Sequence, residues 1–171
     1  TIKENEMPKI IGLAGPKGVG KSTYADQLSF DIYKSEGTIA KILSFATPLK
    51  QMLKCIVHHD YIEDKEKIIP SLGVSARHCL QTLGTEWGRN INPDIWVNIT
   101  KERIEQSVDK LIIIDDVRFD NEAKMIHSMG GEVWHLYREN VGSCDKHISE
   151  SGVSSNLINK HVDLDSISIV T

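Results

Sequence analysis

Cysteine is scarce in this chain of 171 residues: Cys55, Cys79 and Cys144 stand far apart, with no CxxC pair. An odd, scattered set builds neither a disulfide framework nor a zinc ribbon and suits a reducing cytoplasm. An excess of positive charge is also missing, since 20 Lys+Arg face 24 Asp+Glu for a formal net charge of -4. That balance disfavours a general nucleic-acid binder while leaving room for a local basic patch. Uninterrupted apolar runs such as Leu111 to Ile114 are far too short to span a bilayer, and TIKENEMPK at the start carries no signal-peptide apolar core. The expectation is a soluble cytoplasmic protein. Neither a repeat nor a low-complexity linker marks a domain boundary. What is present is a 40% hydrophobic composition, enough to fill one core, and about one domain's length, so a single domain over 1–171 is expected.

The order of elements reads as α/β. KIIGLA (Lys9 to Ala14) is a short apolar run that stops at glycine, a buried strand feeding a turn. Ser22 to Glu36 has helical spacing, with Ala25, Leu28 and Ile32 apolar and Gly37 at its end. Thr38 to Phe45 reads as a second strand. Thr47 and Pro48 then supply an N-cap and first helical position for a stripe of Leu49, Met52, Leu53, Ile56 and Val57. His58 to Lys67 reads as a charged, solvated loop. A third helix is expected over Ser75 to Arg89, with Ala76, Leu80, Leu83 and Trp87 on its apolar side, and a fourth from Asn92 and Pro93 to Ser107. Leu111 to Val117 is the clearest buried strand. A helix to Met129, ended by Gly130 and Gly131, and a strand over Glu132 to Tyr137 follow. The last strand falls at Ser166 to Val170 or at His161 to Leu164. Alternating strands and helices imply a mainly parallel sheet covered on both faces.

Between the first strand and first helix, Gly15, Pro16, Lys17, Gly18, Val19, Gly20, Lys21 and Ser22 fit G-x-x-x-x-G-K-[ST] in the context that this phosphate-binding motif needs. Glycines at 15, 18 and 20 permit positive φ, so backbone N–H groups can turn toward phosphate oxygens at a helix start that already favours anions. Lys21 can bridge the β- and γ-phosphates and the Ser22 hydroxyl can ligate Mg²⁺. Lys17 could reach phosphate or stand exposed in the loop. Thr23 closes the segment in the helix. The acid that such a site needs stands at the end of LIIIDD, as Asp115 or Asp116; adjacent carboxylates point to opposite faces, so only one faces the metal. Asp116 is the first choice and Asp115 the alternative. Arg118 lies two residues on, where it can pair with Asp116 or reach a transferring phosphate.

Motifs of guanine-specific switches are absent: NKxD is out of register at Asn159 to Asp163, and no DxxG follows Asp116. Nor is there length for a motor's accessory domains. A small kinase fits, with a helical acceptor-binding insertion at about 47–108 and a lid at about 138–156. Within the insertion, Arg77, Gln81, Thr85 and Arg89 recur every four residues as a polar stripe. The stripe suits a phosphate and a base edge, and equally an ordinary solvated face. Gly84 and Gly88 would let a ligand or second helix approach closely. The pair His58 and His59, and Cys144 with His147, lack the further ligands of a metal site.

These segments resemble the deoxynucleoside monophosphate kinases of bacteriophages, a P-loop family related in architecture to adenylate kinase. The likeness runs through GPKGVGKST, SFATPLK, LQTLGTEWGR, DIWV, DDVRFDNEA and DKHISE. It implies a three-layer P-loop NTPase fold with a five-stranded sheet, ATP as donor, Mg²⁺, a deoxynucleoside monophosphate acceptor and the host cytoplasm. It also implies Asp116 and Arg118 at the phosphates, Arg77, Gln81, Thr85, Glu86 and Arg89 around the acceptor, and Arg138 at the lid. Thr47 stands where related sequences are expected to carry Asp or Gly, and the part after Ser151 is short. The expected reaction is in-line γ-phosphoryl transfer to an already anionic oxygen, with no catalytic base. Lys21, Arg118 and Arg138 would neutralise charge, and Ser22 and Asp116 would hold Mg²⁺. A kinase of hydroxymethylated bases in phage DNA and a non-catalytic nucleotide-binding regulator are the alternatives. Base identity, sugar preference and oligomeric state, a homodimer included, stay open.

Overall fold

The computed structural model describes residues 7–139 and 152–167. Two compact units make up the chain, one from Thr1–Ser44 with Lys101–Thr171, the other from Phe45–Thr100.

The first unit is built on a five-stranded sheet of β1 (Lys9–Ala14), β2 (Ala40–Leu43), β5 (Leu111–Val117), β6 (Glu132–Tyr137) and β7 (Lys160–Asp163). Its order is β2-β5-β1-β6-β7 and every pairing is parallel. Ile112, Ile113 and Ile114 are fully buried on both faces of β5, as an unbroken apolar run at the centre of a parallel sheet requires. Alternation decides what each face meets. Ile11, Leu13, Leu111, Ile113, Leu136, Val162 and Leu164 pack with Ala25, Tyr24, Leu28 and Ile32 of α1 (Lys21–Glu36). On the opposite face Gly12 lies against Ile126 of α6 (Asp120–Ser128). Helices on both sides of a parallel sheet give the α/β three-layer arrangement expected.

Two boundaries differ from the pattern-based reading. β2 pairs only from Ala40↔Leu111 to Leu43↔Ile114, so the edge strand is shorter than Thr38 to Phe45; Ile39, just before it, is largely exposed. The last strand is Lys160–Asp163, because Val162 and Leu164 complete the α1-side core. The other expected position, Ser166 to Val170, lies outside the described residues after Ile167.

The second unit holds α2 (Thr47–Lys54), α3 (His59–Glu63), a hairpin of β3 (Ile68–Ile69) and β4 (Val74–Ser75), α4 (Ala76–Gln81) and most of α5 (Ile95–Glu105). Its core is Leu53, Ile62, Ile69 and Ala76, with Val57, Tyr61, Cys79 and Leu80 against it. The N-cap of α2 is Ala46 and not Thr47, which lies inside the first turn. α2 ends at Lys54, and of its expected apolar stripe Leu49 and Leu53 are buried and Val57 packs against the core, whereas Met52 and Ile56 are exposed. His58 to Lys67 is not all loop. One apolar side chain, Ile62, anchors α3, and the His58 ring accepts from the Asp60 N–H at its start.

The turn from α6 into β6 leaves no room for a side chain at Gly131. A Cβ there would sit 2.8 Å from Ile10 Cβ, the Ile10 carbonyl oxygen and Ile126 Cγ2. Gly131→Ala is expected to cost about 1–3 kcal/mol of stability, read as a lower urea midpoint at unchanged slope.

Candidate nucleotide and acceptor sites

β1 ends in the loop that the motif marks. Gly15, Gly18 and Gly20 have φ of 143°, 80° and 104°. A Cβ at Gly15 would also collide with the Leu136 carbonyl. Val19 is the loop's anchor, fully buried among Leu13, Leu136 and Ala25. Lys17 and Gly18 are exposed, as are Ser22 and Thr23 in the first turn of α1. That turn has no side-chain cap and no acidic residue, so its orphan N–H groups and partial positive charge remain uncompensated from within the helix.

Lys21 folds back over the loop, its Nζ donating to the carbonyl oxygens of Gly15 at 2.8 Å and Pro16 at 2.9 Å. Burial lowers its pKa, the Arg118 charge adds to that effect, and Asp116 and Asp115 oppose it. The four groups therefore share one electrostatic field. Ser22 Oγ donates to Asp115 Oδ2 at 2.7 Å. The pairing of β5 with β1 shifts register between Ile114 and Val117, and at that irregularity Asp115 is the carboxylate turned to the start of α1. The alternative carboxylate is thus the one brought to the serine.

Arg118 is exposed at the end of β5. Its backbone N–H and that of Phe119 donate to Glu122 Oε2 at 2.7 and 3.1 Å, fixing the entry to α6. Glu122, buried, was missed in the sequence; its signal is an acid three residues after Phe119, the N-cap of α6. The chain returns at Gly152, whose φ of 69° and lack of a side chain let it lie on the Arg118 carbonyl. Ser154 then donates from N and Oγ to Asp120 at 2.7 and 2.6 Å. Residues 140–151, which carry DKHISE and most of the expected lid, lie outside the described residues.

Arg138 stands at the end of β6, against the loop. Its Nε donates to the Val19 carbonyl at 3.1 Å and its Nη1 to Asp165 Oδ1 at 2.9 Å. Nearby is a group that pattern reading did not single out, His135. It is paired in register with Ala14 on one side and His161 on the other. The ring is buried with no hydrogen-bond partner at Nδ1, and meets His161 edge-on at 5.5 Å between centroids. Burial first, then His161 and Lys21, hold its pKa below the ordinary imidazole value.

In the second unit, the helix expected over Ser75 to Arg89 changes character midway. Ser75 caps α4 by accepting from His78 N at 3.3 Å, and after Gln81 the chain continues as a π-helix over Thr82–Arg89. Trp96 explains the wider turn locally: its Nε1 donates to the Gly84 carbonyl at 2.8 Å. Its ring occupies the place of any side chain on Gly88. Gly88 therefore admits an indole from α5, while a side chain at Gly84 would press on Leu49 Cδ1 at 3.2 Å. The wider i→i+5 turn also keeps residues four apart nearly in line. Gln81, Thr85 and Glu86 are exposed and Arg89 is half-buried; Arg77, also half-buried, is ion-paired with Glu66. Trp96 is a buried packing residue. Trp87, however, is 47% exposed and meets Trp96 at 6.4 Å between ring centroids.

His58 and His59 contact Asp60 and Glu63 on α3. No cluster of three metal ligands occurs among the described residues, and no described helix is long and apolar enough to cross a membrane.

A parallel sheet that hands a glycine-rich anion cradle to a helix start, beside a strand ending in carboxylates, defines a nucleotide-binding protein of the P-loop kinase type. The family model for deoxynucleotide monophosphate kinase matches residues 59–166. Over 160 residues the chain is 33% identical to a protein of Acanthamoeba polyphaga mimivirus named, provisionally, a deoxynucleotide monophosphate kinase; 82% of this chain and 80% of that protein are covered. It is also 32% identical over 104 residues to the deoxynucleoside-5'-monophosphate kinase of Escherichia phage T5, covering 56% of this chain and 42% of that protein. The chain belongs to the deoxynucleotide monophosphate kinase family, and so to the phosphotransferases.

Two outcomes follow from this geometry. Gly88→Ala forces the Trp96 ring out of its seat, and an overpacking loss of about 1–3 kcal/mol is expected from denaturant unfolding. For His135, a folded pKa below the unfolded one means that the unfolded chain binds the proton first. Its contribution to stability is therefore intact above about pH 6.5 and declines as pH falls below it. His135→Gln should flatten the slope of the melting midpoint against pH in that window.

Proposed function

We propose that this chain transfers the γ-phosphoryl group of ATP to the phosphate of a deoxynucleoside monophosphate in the presence of Mg²⁺. Its membership of the kinase family supplies the class of reaction. The observation that carries the finer reading is the phosphate loop itself, with the Lys21 ammonium over it and the Ser22–Asp115 pair at its exit.

The donor set fits the metal. Ser22 Oγ and Asp115 Oδ2 are hard oxygens 2.7 Å apart at the start of α1, the ligand chemistry that Mg²⁺ takes beside a nucleotide. Ser22 and Asp115 would hold the ion, with Asp116 adding to the field around Lys21. When bound, it supplies charge neutralisation on the phosphate chain. The loop N–H groups and the α1 start grip the triphosphate. Lys21 exchanges its two loop carbonyls for phosphate oxygens, Lys21 and Arg118 place cations where charge develops, and Arg138 backs the loop from the Val19 carbonyl. Lys17 and Thr23 flank the same segment. The acceptor phosphate is already anionic near neutral pH, so orientation rather than proton abstraction is the requirement. Arg77, Gln81, Thr85, Glu86 and Arg89 supply the acceptor contacts, the arginines toward phosphate and the amide and hydroxyl toward the base or sugar.

A coupled assay of ADP release tests this over a panel of deoxynucleoside and ribonucleoside monophosphates, with single-stranded DNA alongside. Turnover of at least one deoxynucleoside monophosphate is expected, and a preference for DNA would overturn the reading. Lys21→Ala should lower kcat by about 10²–10³-fold, and Asp115→Asn should raise the Mg²⁺ requirement more than Asp116→Asn does.

A further inference from the structure

We propose that Asp165, in the segment after β7, is a positioning residue for the phosphate loop and acts through Arg138. This rests on the reading that the loop holds a triphosphate.

The Asp165 carboxylate takes two donors from consecutive residues, Arg138 Nη1 on Oδ1 at 2.9 Å and the Glu139 N–H on Oδ2 at 2.9 Å. Held in this way, the guanidinium presents its Nε to the Val19 carbonyl at 3.1 Å. A guanidinium is a rigid planar fork, so fixing one edge aims the other. Asp165 is itself fixed. Its N–H donates to Asp163 Oδ1 at 3.0 Å, and the Leu164 N–H before it donates to the Tyr137 carbonyl at 2.9 Å. Leu164 and Val19 belong to the same buried cluster.

Val19 is therefore pinned twice, its side chain by the core and its carbonyl by Arg138. The second pin matters to an anion cradle. Amide N–H groups can face inward only if the carbonyls between them face out, and an outward carbonyl held by a charged donor resists flipping toward phosphate. Gly20, next in the loop, has its Cβ position 3.7 Å from Arg138 Nη2, so the same guanidinium flanks the residue that leads into α1. Asp165 also offsets the Arg138 charge, keeping the arginine on the carbonyl. The pair is about one-third exposed on each side, so its contribution lies in geometry more than in bulk stability.

Asp165→Asn keeps the shape of the side chain but loses its charge and one acceptor oxygen. It is expected to raise KM for ATP about tenfold. The KM for the deoxynucleoside monophosphate and kcat at saturating ATP should stay within about threefold, with little change in melting midpoint. Asp165→Glu, which retains both charge and acceptors, should recover part of the loss. Combining Asp165→Asn with Arg138→Ala should do no more harm to KM for ATP than Arg138→Ala alone, because both act on one carbonyl. An unchanged KM in folded Asp165→Asn, or additive effects in the double variant, would overturn the proposal. Calorimetry with Mg-ATP separates the two readings. Absence of binding by the wild-type protein refutes the function proposed above, whereas equal affinity in wild type and Asp165→Asn refutes only the role of Asp165.

Discussion

Everything in the first unit turns on the orientation of a few peptide planes between β1 and α1. An anion gains from backbone amides only when several point at it together, and no side chain can substitute for that convergence. Three glycines with positive φ set the turn, and buried Val19 stops it from relaxing. The parallel sheet serves this geometry by putting the strand ends and the start of α1 at one edge, where Asp115 reaches Ser22. Charge follows the same economy of space: burial and Arg118 make Lys21 less basic, while two carboxylates act in the opposite sense. A phosphate chain would add to the carboxylates' side of that balance.

The second unit solves a different problem, that of presenting polar groups from one helix in a row. An α-helix lets four-residue steps drift around its axis, whereas the π segment after Gln81 counters the drift. Trp96 accompanies this geometry with an indole N–H on the Gly84 carbonyl and a ring seated at Gly88. The smallest residues of the segment are thus the ones that meet the largest neighbour. The result leaves Gln81, Thr85 and Glu86 exposed together.

Much of this was legible in the amino-acid order, for reasons that differ by element. Lys9–Ala14, Leu111–Val117 and Glu132–Tyr137 were readable because central parallel strands are apolar runs bounded by breakers. The phosphate loop was readable because its chemistry needs glycine, lysine and a hydroxyl at fixed spacing. The choice between Asp115 and Asp116 was not, since both stand at the strand end, across a register shift, and only the hydrogen bond from Ser22 sorts them. α3 hid in a charged stretch because a single residue, Ile62, supplies its burial. The β3–β4 hairpin is two residues a side, too short to show alternation. The π-helix could not be read at all, because it accompanies a contact twelve residues away from Gly84. His135 and Asp165 were invisible for a similar reason: their roles come from neighbours across the sheet and beyond its last strand.

The resting position of Lys21 has one more consequence. With Nζ already bonded to the Gly15 and Pro16 carbonyls, any visitor must replace two internal partners before it gains from the ammonium. A small lone anion offers few oxygens for that exchange, whereas a string of phosphates laid along the cradle can supply several at once. If the loop holds a triphosphate as proposed, Lys21 would favour the ligand with the longer phosphoryl tail.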